Sequence, residues 1–148
     1  MIKFQAAFYK GTPTKLASKI FDWGVRHLDS GPYSHMELVF SDGMSASSSF
    51  ADGGVRFKNI TFDPTRWDMV DLPAELEAPA RAWFVANEGK AYDIMGDLWQ
   101  MLGFVRDKSD KSFCSAACMN ALGFTEPWRF RPNAAKSVCV HFNINTPH

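Results

Sequence analysis

The sequence predicts an α+β domain in which an antiparallel sheet packs against helices. Three observations predict it. Strand-like segments cluster in the first half of the chain, helix-like segments dominate the second, and an Asp42-Gly43 pair joins two strands as a hairpin. With 148 residues the chain is long enough to bury a real core, and residues 1–148 are read as a single domain.

The elements follow in order. "MIKFQAAFY" alternates loosely and reads as a first strand. "TPTKLASKIFDWGVRHLDSGP" carries Leu16, Ile20, Trp23 or Gly24, and His27 or Leu28 at helical spacing, with Pro13 at its start and Gly31-Pro32 at its end. "SHMELVF" and "GMSASSSF" flank the Asp42-Gly43 turn. In "VRFKNITF" the alternation puts Val55, Phe57 and Ile60 inward and Arg56 and Lys58 outward. "RWDMVDLP" is one more strand, stopped by Pro73.

Helices come next. "ELEAPARAWFVANEG" has Pro79 near its first turn and Gly89 as its stop. "YDIMGDLWQMLGF" offers Asp93 as an N-cap, and "KSFCSAACMNALGF" offers Ser112 as a cap and Gly123 as a stop. "RPNAAKSVCVHFNI" is read as a short turn and a final strand.

Composition narrows the function. A hydrophobic content of 46% and a charged content of 22% are ordinary for a soluble globular protein. Sixteen basic and 16 acidic residues cancel, so there is no basic field for a nucleic acid or an anionic membrane. No apolar stretch is long enough to span a bilayer, and the amino terminus lacks the apolar run of a signal peptide. Three cysteines argue against a disulfide framework and suit a reducing compartment. A cytoplasmic protein is expected, in the host cytoplasm if its origin is a phage.

The chemistry-bearing residues lie in two segments. Cys114 falls in the first turn of the helix predicted from "SFCSAACMNALG", where unpaired amides and the helix dipole favour an anion. A thiolate is the attacking form of cysteine, although an isolated buried cysteine also serves as a small core filler. Cys118, one turn further on, reads as core. His35 and Glu37 point to one face of their strand, which suits a general base and the carboxylate that orients it. The plain alternative is a half-exposed face of an edge strand. With a tight turn at Asp42-Gly43, Ser48 would sit across from Glu37 and compete to orient the ring. Backbone N–H groups at the helix start, those of Cys114 and Ser115, are the candidate oxyanion donors.

In wording and order, "YSHMELVF", "DGGVRFKNI", "RWDMV", "GKAYDIMG" and "FCSAAC" resemble the permuted branch of the NlpC-type papain-like cysteine hydrolases. The likeness runs from about Leu16 to Pro132, with the histidine strand before the cysteine helix. It implies a papain-like fold, Cys114 as nucleophile, His35 as base, and Glu37 or a polar residue of the next strand as orienting group. Tyr92, in the Tyr-Asp motif, packs or hydrogen-bonds near the site in this reading. Relatives often carry a glutamate two residues after the cysteine; Ala116 stands there in this chain.

The expectation is therefore a cysteine peptidase or amidase that cleaves an amide, ester or thioester through an acyl-enzyme, with acyl transfer to another acceptor as a variant. Its substrate would be peptide-like, acyl or lipid-linked, and no cofactor or metal is implied. A zinc site from Cys114, Cys118, Cys139 and His141 lacks the tight knuckle spacing of structural zinc. The rivals are a non-catalytic binding protein with a protein partner, on the same scaffold, and a peptidoglycan amidase.

Overall fold

The computed structural model describes residues 2–11, 31–49, 52–90 and 110–145. Five strands form one antiparallel sheet: β1 (Gln5–Tyr9), β2 (His35–Val39), β3 (Ser45–Ser49), β4 (Gly54–Lys58) and β5 (Trp67–Asp71), in the spatial order β4-β3-β2-β1-β5. Three helices are described, α1 (Glu77–Asn87), α2 (Asp110–Ala121) and α3 (Pro132–Asn145), with short 3-10 turns at Ala74–Leu76 and Pro127–Arg129. The α+β class with an antiparallel sheet is as expected. The helices predicted around residues 12–32 and in "YDIMGDLWQMLGF", with Tyr92 and Asp93, lie outside the described residues.

The histidine strand β2 is the centre of the sheet, not an edge. It pairs with β1 from Tyr9↔His35 to Gln5↔Val39, and β1 pairs on its other side with β5. Its pairing with β3 is short, Leu38↔Ala46 and Val39↔Ser45.

The hairpin between β2 and β3 departs from the expected two-residue turn. The loop holds three residues, Ser41, Asp42 and Gly43. Phe40 N–H donates to the Met44 carbonyl (2.8 Å) and Gly43 N–H to the Phe40 carbonyl (2.9 Å), with Gly43 at φ +87°. A type I turn closed by a left-handed glycine has this form, and glycine has no Cβ to oppose that conformation. The extra residue slips the register by one and turns every β3 side chain over.

The serine strand is consequently interior. Ser45, Ser47 and Ser49 are buried; Ser45 Oγ donates to the Lys58 carbonyl and Ser47 Oγ to the Met36 carbonyl, both at 2.6 Å.

The core lies between the sheet and the helices. Phe4, Phe8, Met36, Leu38 and Phe40 from the sheet meet Phe84 of α1, Met119 of α2 and Cys139 of α3. Helix α2 is buried from Cys114 through Met119, because Ser115, Ala116 and Ala117 are small enough for close approach on every side. Its end is a Schellman motif: Phe124 N–H reaches the Met119 carbonyl, Gly123 N–H reaches Asn120, and Gly123 takes φ +94°.

The segment expected as a final strand is helix α3. Its β-branched and aromatic residues suggested a strand, but Pro132, Ala135 and Cys139 recur at helical spacing and are the ones buried. Among the described residues no helix is long and apolar enough to cross a membrane.

Phe84 is fully buried against Phe40, Phe57 and Trp83, with ring centroids 6.4, 6.1 and 5.1 Å away. Phe84→Ala is expected to remove about 3–5 kcal/mol of stability. A lowered urea midpoint at unchanged slope would show it, and a loss under about 1 kcal/mol would contradict a core position.

Candidate active site

His35 opens β2 beside the sheet's aromatic end. Its backbone partner across the ladder is Tyr9, which also pairs with Trp67. Trp67 stands edge-on to the imidazole with centroids 6.3 Å apart, and Tyr9 and Phe62 pack against Trp67 at 5.0 and 4.9 Å. The chain entering β2 is also tied down. Asn133 of α3 accepts from the Tyr33 N–H and donates to its carbonyl, each at 3.2 Å, while Ser34 N–H bonds the Tyr9 carbonyl. Below it the Tyr33 hydroxyl joins Asp68 and Lys136, and Lys10 holds the other oxygen of Asp68 at 2.6 Å. This tie needs residues far apart in sequence, and nothing local announces it.

Two residues on from His35, Glu37 is completely buried. His35 Nε2 lies 2.6 Å from Glu37 Oε1. Arg56 of β4 grips the same carboxylate through Nη1 to Oε2 (2.6 Å) and Nη2 to Oε1 (2.5 Å). Its Nε is held by Asp52 at 2.9 Å. Burial pushes the Glu37 carboxyl up, but the hydrogen bonds and charges of Arg56 and His35 bring it below its ordinary value. Arg56 was expected to face outward. Strand β4 does alternate, but the register sets Arg56 on the face of Ser47 and Glu37, and there its side chain is only 13% exposed. The available signal was a buried-pattern glutamate with no cation near it in sequence.

Cys114 completes the row. Its side chain hydrogen-bonds the His35 imidazole, whose Nε2 is committed to Glu37. Burial alone would lower the imidazole's affinity for a proton. The negative charge and hydrogen bond of Cys114, followed by those of Glu37, outweigh it and raise His35 from 6.5 to about 10. Cys114 itself is fully buried, whereas 22% of the His35 side chain is exposed.

The remaining expected residues fall differently. Ser48 pairs with Val55, and the three-residue loop puts it one position out of line with Glu37; His35 Nε2 is held by Glu37 instead. Helix α2 already includes Asp110, which is earlier than a cap at Ser112 implies. The amides of Cys114 and Ser115 therefore fall inside the helical ladder and not among its unpaired first four. Ser115 is buried next to Cys114. Tyr92 lies outside the described residues.

The chain matches no protein-family model, no curated protein and no solved structure.

The other thiols have different surroundings. Cys118 is enclosed by the Met36 and Ala46 carbonyls and the Ser47 hydroxyl, 3.7 to 3.9 Å from its sulfur. Burial first, then the charges of Cys114 and Glu37, pushes its thiol well above the ordinary value. Burial alone pushes Cys139 up to about 12. The four residues weighed for zinc do not converge: among the described residues no group of three or more His, Cys, Asp and Glu is placed to hold a metal.

His35 binds its proton more tightly folded than unfolded. Its contribution to stability is thus complete below pH 6.5 and is lost as pH rises through about 10. An NMR titration of the His35 ring should find it protonated at neutral pH, with a lower midpoint in Cys114→Ser and in Glu37→Gln. A midpoint at the ordinary histidine value in all three proteins would contradict the pairing.

Proposed function

We propose that this chain is a cysteine hydrolase of papain-like type, acting on an amide, ester or thioester. The observation that supports it most is the order of contacts Cys114–His35–Glu37, with the imidazole between a thiol and a buried carboxylate. A thiol on a helix that packs against an antiparallel sheet, with histidine and carboxylate on a central strand, also suits the permuted NlpC-type arrangement. That likeness rests on the sequence motifs.

The reaction follows from the charges. The Cys114 thiolate attacks the substrate carbonyl carbon, forming a C–S bond and a tetrahedral oxyanion. As the intermediate collapses, the His35 imidazolium gives its proton to the departing nitrogen, oxygen or sulfur, and the scissile bond breaks. Neutral His35 then takes a proton from water, whose oxygen attacks the thioester and releases the acid and the thiolate. Glu37 stays ionised and holds Nε2 throughout. An amine or alcohol in place of that water makes the same residues an acyltransferase. The rings of Trp67, Tyr9 and Phe62 beside His35 suit an apolar acyl or peptide side chain. Cytoplasmic action is part of the proposal.

One observation favours a second reading. Cys114 is fully buried, as suits a scaffold that binds a protein partner without turning over a substrate. The two readings separate in one experiment. Incubation with activated esters and thioesters should add one acyl mass to the intact protein, mapped to Cys114 and released by water. Cys114→Ser and His35→Ala should each lower hydrolysis by at least about a thousandfold while the fold persists. Absence of any adduct across ester, thioester and amide probes would leave the binding reading.

A further inference from the structure

The buried carboxylate raises a question beyond the choice of nucleophile and base. Glu37 is fully buried, and an ionised carboxylate in such a place normally takes up a proton and becomes neutral. A neutral Glu37 would be a poor partner for an imidazolium. We infer that Arg56 is a positioning residue: it keeps Glu37 ionised at a fully buried position, and through Glu37 it fixes the orientation and charge of His35.

The geometry behind this is a line of alternating charge. Asp52, Arg56, Glu37, His35 and Cys114 touch in sequence, each contact joining opposite signs when the dyad is an ion pair. Among the described residues the groups facing Glu37 are few. Its own strand gives His35, β4 gives Arg56, and α2 gives Cys118, whose thiol is kept neutral; β1 places only Ala7 opposite it. Among the described residues Arg56 is therefore the permanent cation at the carboxylate, since His35 is a cation only while protonated. Its planar fork meets both oxygens, which a single ammonium does not do.

The serine strand makes the reach possible. Ser47 pairs with Arg56, and the β2–β3 register continued by one residue sets Ser47 beside Glu37. A side chain this small leaves the guanidinium room to cross β3. Its hydroxyl is turned to the Met36 carbonyl, so it does not compete for the carboxylate.

The consequence for catalysis rests on the cysteine-hydrolase reading; the ionisation of Glu37 does not. Infrared difference spectra at neutral pH separate the two. Arg56→Met should show a protonated-carboxyl band that is absent from the wild type and from the double variant with Glu37→Gln. The His35 NMR midpoint should fall, and iodoacetamide labelling of Cys114 should slow by about tenfold for each unit by which that midpoint drops below the assay pH. Arg56→Lys should restore the ionised carboxylate while losing the two-point grip. If Arg56→Met does not fold, Arg56→Gln is neutral as well and should show the same band. A folded neutral variant with no band and a wild-type His35 titration would overturn the role of Arg56. If Cys114 is already unreactive in the wild type, the hydrolase reading fails while the infrared result still decides the role of Arg56.

Discussion

The buried Glu37–Arg56 pair is the constraint on which the rest of the site depends. Removing two charges from water costs several kcal/mol per ion, and only close, multiply bonded geometry offsets it. That geometry is present: both carboxylate oxygens are bonded, and the arginine is held from behind by Asp52. The pair spans β2 and β4, so it requires the strand between them to be β3, with a small residue where the guanidinium crosses. The central place of β2 then follows, and with it the placement of His35 under the amino-terminal half of α2.

The same electrostatics separate three chemically identical thiols. Cys114 faces an imidazole that carries positive charge. Cys118, one turn away, faces carbonyl oxygens and a hydroxyl, and Cys139 faces the apolar core. Burial raises the latter two thiols above the ordinary value and so favours their protonated form. The difference in surroundings thus comes from a single strand residue, and that residue is in turn held by a carboxylate two positions away.

Much of the fold was legible in the sequence because its signals are local. Alternation marked β1, β4 and β5, and Gly89 and Gly123 marked helix ends where the backbone does turn left-handed. The two-residue period put His35 and Glu37 on one face from the sequence alone. What was not legible depended on a single residue of loop length or on distant partners. Asp42-Gly43 announces a hairpin but does not say whether two or three residues make its loop, and that difference moved Ser48 out of line. In α3, β-branched and aromatic residues satisfied strand preference while tertiary packing of Ala135 and Cys139 selected a helix. Arg56 looked like an outward strand residue because alternation separates the two faces without saying which is covered; Arg56 shares the face of Ser47 and Glu37.

Cysteine reactivity tests the central claim most directly. Iodoacetamide labelling of the folded protein at neutral pH, followed residue by residue by mass spectrometry, measures the thiolate available at each sulfur. The account predicts that Cys114 labels at least about a hundredfold faster than Cys118 or Cys139, and that His35→Ala abolishes the difference. Labelling of Cys114 at the rate of the other two, in protein shown to be folded, would contradict it.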